Sequence, residues 1–390
     1  MRYSSRVVFV GLAALLILHC KADSQPQPLT PPPTATYPSP PDTQIRNIIL
    51  FIGDGMGISH ITAGRLKSLG ANGRLHIDRM PVTGLLINHA ADNLITDSAA
   101  GATALASGFK TNNAMISLLP DNTRAVTILE ALREKGFAAG LVATSSITHA
   151  TPACFAAHVP ARKMEPEIAA QLVESGVEVM LGGGRAFFIP EEDSASKRSD
   201  DLNLIERARQ NGYRVVQNRE ELQKISEGRV LGLFNDDEMR NEPHEPTLAE
   251  MAAKAIELLR GNANGFFLMV EGSQIDWGAH DNLLDYVVRE MLAFDEAVKV
   301  GLEFAREDRR TLVLVTADHE TGGLAINDGS LDGKELEAGW TSGHHTGQPV
   351  PIFGYGPHSL RFTGVHDNTR VPIILAELFG VEPFPRIRRE

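Results

Sequence analysis

Cysteine is nearly missing from this chain: 390 residues contain two, Cys20 and Cys154. Cys20 sits in an amino-terminal leader pattern, which leaves Cys154 without an intramolecular partner. A disulfide framework is therefore excluded, and a small buried thiol is expected at Cys154. Positive charge is in deficit, with 37 Lys and Arg against 49 Asp and Glu and a formal net charge of −12. That balance argues against a nucleic-acid-binding surface, but it leaves room for a small anionic substrate, which responds to local charge such as bound metal. The apolar run Val7–Leu18 is too short to span a bilayer stably. No internal repeat and no second linker interrupt the chain. One domain from Ile45 to Glu390 is the simplest partition of a chain that is 43% hydrophobic and 22% charged.

The amino terminus reads as an export signal: Arg2 and Arg6 precede the apolar run, and Cys20 follows it, within Met1–Ala22. Ile17-Leu18-His19-Cys20 resembles a bacterial lipoprotein cleavage site, with His19 where a small residue is expected. Two outcomes follow, a membrane anchor through lipidated Cys20 or simple cleavage near Ala22. Residues 23–44 are rich in Pro, Thr, Ser and Gln and form an extended tether. The expected location is the periplasm or the outer membrane.

From Asn47 onward apolar runs alternate with helical patterns. Ile48–Ile52, Ala138–Ala143, Phe266–Val270, Leu312–Val315 and Val350–Tyr355 read as buried strands. Ala125–Lys135, Leu248–Arg260, Leu283–Arg306 and Val371–Phe379 read as helices, and charged Glu191–Asp201 as a solvated loop. The fold class is α/β, a largely parallel central sheet with helices on both faces. Ligands in such sheets bind beyond the carboxyl ends of the strands. Asp54, then Thr148-His149-Ala150-Thr151, then Glu271, then Asp318-His319-Glu320 follow four of the runs, which suggests a metal site. Asp276 and His280 are four apart, so one helical turn puts both on one face. In Thr96-Asp97-Ser98-Ala99-Ala100-Gly101, Asp97 and Ser98 fall where a helix begins, and its free N–H groups favour an oxyanion or a phosphate there.

These residues carry a resemblance. Gly53-Asp54-Gly55-Met56-Gly57, Thr96-Asp97-Ser98-Ala99-Ala100, His149-Ala150-Thr151-Pro152, Glu271-Gly272 with Ile275-Asp276 and His280, Ala317-Asp318-His319-Glu320 and His345-Thr346-Gly347 stand in the order found in alkaline phosphatases. The chain resembles the compact bacterial kind. The resemblance implies metal-dependent hydrolysis of small phosphate monoesters through a phosphoserine on Ser98. It also implies two Zn²⁺, one on Asp276, His280 and His345, the other on Asp54, Asp318 and His319, with one Mg²⁺ on Asp54, Thr151 and Glu271. Arg162 matches the phosphate-binding arginine, while Asp97, His149 and Trp277 stand just outside the reacting groups. His149 replaces an aspartate of some members, and Trp277 a lysine or histidine of others. His344 competes with His345, which the His-Thr-Gly context favours. A homodimer is allowed, but the stretch between His319 and His345 is too short for the crown insert through which larger relatives make dimer contacts.

Two alternatives compete with this reading. One is a phosphodiesterase or sulfatase-like hydrolase of the same superfamily; Thr96–Gly101 lacks the proline and arginine of a Cys/Ser-x-Pro-x-Arg sulfatase motif, and Arg162 suits a monoester. The other is a noncatalytic zinc- or phosphate-binding envelope protein, which has no need of Ser98 and Arg162 together.

Overall fold

The computed structural model describes residues 36–38 and 41–388. The leader with Cys20 and most of the tether lie outside these residues. The described residues form fourteen strands: β1 (Asn47–Gly53), β2 (Val82–Ile87), β3 (Ala138–Ser146), β4 (Val179–Gly183), β5 (Tyr213–Val216), β6 (Arg229–Leu233), β7 (Phe266–Gly272), β8 (Thr311–Thr316), β9 (Glu320–Thr321), β10 (Ala325–Gly329), β11 (Leu336–Gly339), β12 (His345–Thr346), β13 (Val350–Tyr355) and β14 (Gly364–Asp367). Ten of them form one sheet in the order β14-β2-β13-β8-β1-β7-β3-β4-β6-β5. All neighbours are parallel except β13, which runs antiparallel to both β2 and β8. The central strands β8, β1, β7 and β3 are the continuous apolar runs of the sequence, and β1, β7 and β8 are buried along their whole length. Covered on both faces, such strands need no polar alternation.

Helices Ile58–Leu69, Leu248–Leu259 and Leu284–Asp308 pack on one face of the sheet; Ser98–Ser107, Ile128–Glu134, Ala150–Ala156 and Arg370–Leu378 pack on the other. The expected helix Ala125–Lys135 begins later, at Ile128. Thr127 caps it, accepting from Glu130 N while the Glu130 carboxylate accepts from Thr127 N. Ala125 and Val126 instead pair with the backbone of Ile387 and Arg386. β2, β4, β5, β6 and β14 lack a long apolar run and were not legible; β2 alternates buried and open positions, as a strand near the sheet edge does. The loop Glu191–Asp201 is solvated with one exception. Arg198 is buried, donating to Asp200 and to the carbonyls of Pro166 and Phe187, which offset the cost of burying its charge. Between His319 and His345 the chain makes only the small hairpin β10–β11 and the pair β9–β12.

Register decides where the polar residues fall. Ile52 of β1 lies beside Glu271 of β7 and Thr316 of β8, and Ala143 of β3 lies beside Glu271. Four neighbouring strands therefore end in line, and the residues after each meet at one edge.

Candidate active site

Ser98 opens the helix Ser98–Ser107, whose cap is Asp97 accepting from Ala100 N at 2.9 Å. This helix can approach the strand ends because Gly101 has no side chain: a Cβ there would sit 2.7 Å from the backbone oxygen of Asp318. Ser98 Oγ then lies 3.1 Å from His319 Nε2 and 3.5 Å from Asp54 Oδ1. Asp54 and Asp318, which follow β1 and β8, are fully buried with His319 between them, its Nε2 at 3.3 and 3.4 Å from their carboxylates.

Asp276 and His280 share one face of the helix Gln274–His280, as their spacing requires. His280 Nε2 is 3.3 Å from Asp276 Oδ2 and 3.1 Å from His345 Nε2, and His345 Nε2 is 3.6 Å from Asp276 Oδ1. Each ring donates Nδ1–H to a carbonyl at 2.8 Å, His280 to Gly343 and His345 to Thr96. Neutral rings would leave both Nε2 atoms bare 3.1 Å apart, so the pair takes a cation: a proton on His280 Nε2, which then donates to Asp276, or a metal ion held by both rings. His344 is exposed, so His345 is the ligand candidate of the two.

Asp54, Glu271 and His149 form a third set whose donor atoms lie within 4.8 Å of one another. His149 thus stands closer in than the outer place expected of it, because it caps the helix Ala150–Ala156 and turns its ring toward the carboxylates. A guanidinium only donates, so His149 Nε2 accepts from Arg162 Nη2 at 3.1 Å. Burial and the neighbouring Arg162 push this imidazole down to about 3, so it is neutral. Thr151 Oγ1, Glu271 Oε1, Asp54 Oδ2 and Asp318 Oδ2 are buried and have no hydrogen-bond partner among the described residues. Trp277 touches this region edge-on through the His149 ring, with ring centres 6.2 Å apart.

Burial raises the carboxylates, Glu271 to about 7 and Asp318 to about 8, and raises Asp54 well above its ordinary range, with neighbouring carboxylates pushing Asp54 and Asp318 further. Burial also opposes the charge on Asp276, but the hydrogen bond with His280 and the nearby imidazoles of His319 and His345 outweigh it and hold Asp276 below the carboxylate range. Oxygen-rich sets with orphaned buried atoms beside a set with bare imidazoles match divalent metals.

Arg162 reaches Ser98 through Asp97: Nη1 donates to Asp97 Oδ2 at 3.2 Å. Three positions that the sequence reading passed over hold this arrangement. Asn113 Oδ1 accepts from Asp97 N at 2.8 Å. Ala114 donates its N–H to Asp97 Oδ2 at 3.0 Å and accepts from Arg162 N at 2.7 Å, tying both loops together from a left-handed backbone with φ 69°. Thr321, fully buried, contacts both Asp276 and His319. Nothing in the residue types marks Ala114, which contributes only its backbone, or Asn113, whose side-chain amide bridges Asp97 N and Ile95 O. Cys154, expected to be inert, is fully buried, and that burial raises its thiol to about 12.

The family model "Alkaline phosphatase" matches residues 45–335 and 332–381. Alkaline phosphatase 3 of Bacillus subtilis is 34% identical over 84% of this chain and 87% of its own length. The alkaline phosphatase of Escherichia coli is 34% identical over 87% of each. The solved alkaline phosphatase of the Antarctic bacterium TAB5 superposes with a TM-score of 0.79 at 32% identity, covering 87% of this chain and 99% of that one. A histidine-to-aspartate mutant of that protein has been solved with Mg bound in its M3 site.

Proposed function

The chain belongs to the alkaline phosphatase family and hydrolyses phosphate monoesters, and from that premise we propose that Ser98 is the nucleophile, Arg162 the phosphate-holding cation, and the three ligand sets the seats of two Zn²⁺ and one Mg²⁺. The observation that carries this is the crowding around one hydroxyl. Ser98 Oγ faces buried carboxylates with unpartnered oxygens, and behind them two imidazole nitrogens point at each other. Asp276, His280 and His345 would hold one Zn²⁺, Asp54, Asp318 and His319 the second, and Asp54, Glu271 and Thr151, with His149 alongside, Mg²⁺. When bound, these ions supply the positive charge that favours ionised serine and stabilises the departing alkoxide.

The protein's own residues do the rest. Arg162, oriented by Asp97, presents two N–H groups to non-bridging phosphate oxygens. Ser98 Oγ, at a helix N-terminus, attacks phosphorus in line; its bond to phosphorus forms as the bond to the alcohol oxygen breaks. Water then attacks the same phosphorus from the vacated side, the Ser98 bond breaks, and phosphate leaves. The fork of Arg162 suits the two non-bridging oxygens that monoesters and diesters share, so the monoester substrate class rests on the family. Export, anchoring through Cys20 and a homodimer without a crown complete the reading; mass spectrometry of the mature terminus and sedimentation of the purified protein test them.

The decisive experiment is hydrolysis of an aryl phosphate by the full chain, with and without chelator, followed by acid trapping of labelled enzyme. Label on Ser98, chelator sensitivity and a loss of at least about 10³-fold in Ser98→Ala are expected. Label elsewhere, or an active alanine variant, would overturn the assignment of Ser98.

A further inference from the structure

Of the three imidazoles beside the nucleophile, two have their tautomer set by the main chain, since the carbonyls of Gly343 and Thr96 can only accept. His319 differs. Its Nδ1 lies 3.2 Å from Thr321 Oγ1, a hydroxyl that can donate or accept. Thr321 Oγ1 also contacts Asp276 Oδ1. A carboxylate oxygen accepts, so in this contact Thr321 Oγ1 is the donor and Asp276 Oδ1 the acceptor. The single hydroxyl proton of Thr321 is therefore committed to Asp276. Its oxygen is left as an acceptor, so the proton of neutral His319 sits on Nδ1. Nε2 is then bare, 3.1 Å from Ser98 Oγ and facing Asp54 and Asp318.

We propose that Thr321 is a positioning residue that sets the tautomer and angle of His319 and, through the same oxygen, the orientation of Asp276, so that one hydroxyl aligns ligands of both proposed zinc seats. The surrounding structure holds that hydroxyl firmly. Thr321 N–H donates to Gly55 O at 3.1 Å, and Thr321 pairs with His345 across β9–β12. Gly55, at φ 68°, leaves the space the hydroxyl needs, since a Cβ there would lie 2.7 Å from both Thr321 Oγ1 and Asp276 Oδ1. His319 in turn stacks on His345 with ring centres 3.6 Å apart and planes 19° from parallel, so a tilt of one ring displaces the other. His319 precedes Thr321 by only two residues, so the hydroxyl reaches back to the ring within one short segment.

The inference rests on the proposed two-zinc reading and is tested separately from it. In ¹⁵N-histidine spectra of the full chain stripped of metal, His319, assigned by the signal lost in His319→Gln, should carry its proton on Nδ1; a proton on Nε2 overturns the proposal without touching the phosphatase activity. Zinc competition against a chromophoric chelator should show Thr321→Val weakened by about 10–100-fold and Thr321→Ser within about threefold of wild type. The valine variant should lose kcat more than KM, because the displaced groups face the reacting serine. Wild-type zinc affinity in Thr321→Val, or equal losses in the serine and valine variants, would show that the hydroxyl positions nothing. A wild-type chain that binds zinc but hydrolyses no phosphate would overturn the functional reading and leave the tautomer result standing.

Discussion

The two sides of the site solve the problem of buried charge differently. On the Asp276 side a carboxylate is surrounded by imidazoles and stays ionised, and the His280 imidazole, through its hydrogen bond to Asp276, is raised to about 9. On the Asp54 side the carboxylates of Asp54, Asp318 and Glu271 crowd together in a fully buried volume. Arg162 is a nearby cation, and each carboxylate is driven toward its neutral form. The first side compensates itself with a proton on an imidazole, the second with protons retained on its carboxylates, which bound cations would replace.

Removing the metals should break that balance most severely. Below the ordinary carboxylate range Asp54, Asp318 and Glu271 are protonated in both folded and unfolded chains, so they cost nothing. As pH rises the unfolded chain releases its protons first and the folded one retains them, so stability falls until pH passes the raised values. The metal-free protein should therefore lose melting temperature progressively between about pH 4.5 and 8. The His280–Asp276 pair has the opposite early behaviour, with its contribution intact below the free histidine value and lost as pH climbs through about 9. Melting curves with chelator, then with Zn²⁺ and Mg²⁺ restored, measure this, alongside complete loss of turnover. A metal-free protein equally stable at pH 5 and pH 8 would mean that the crowding is relieved by structural change.

A second perturbation removes the cation. Arg162→Ala should weaken inhibition by inorganic phosphate about 10–100-fold, and it should also raise the acidic side further by removing the positive charge that lowers Asp54 and Glu271. An unchanged inhibition constant would take Arg162 out of the phosphate site.

His149→Asp sharpens the contrast by adding a fourth carboxylate to the side that already lacks partners. Mg²⁺ should bind about tenfold more tightly by calorimetric titration, while the metal-free variant melts lower than the metal-free wild type. Equal or weaker binding would make the His149 ring a packing partner for Trp277 and an acceptor for Arg162, with no hold on the third seat.

The smallest effect belongs to the scaffold that serves both sides. Ala114 occupies a left-handed backbone that costs a non-glycine residue about 1 kcal/mol, so Ala114→Gly should raise the melting temperature slightly, by about 1–2 °C, and leave kcat and phosphate inhibition unchanged. A lower melting temperature would show that the alanine methyl group, not the backbone, is what this position supplies.

The central strands, Ser98 at a helix start, and the pairing of Asp276 with His280 were all readable from residue order, because continuous apolar runs, capping residues and i,i+4 spacing are local properties. So was the prospect that Asp54, Glu271 and Asp318-His319 meet, since each follows a strand of a parallel sheet and such strands end on one edge. The His-Thr-Gly context pointed to His345 over His344, but what turns that ring inward came only with the fold, through the carbonyl of Thr96 nearly 250 residues upstream. The same holds for His149, which cannot be read as inward-facing until the helix it caps is packed against β3 and β7. Ala114 and Thr321 left no trace in the sequence reading, the one contributing a backbone conformation and the other a hydroxyl whose role depends on a ring two residues back and a carboxylate on a distant helix. Local pattern is encoded residue by residue, whereas the direction of a hydrogen bond in a buried network is settled only when every neighbour is in place.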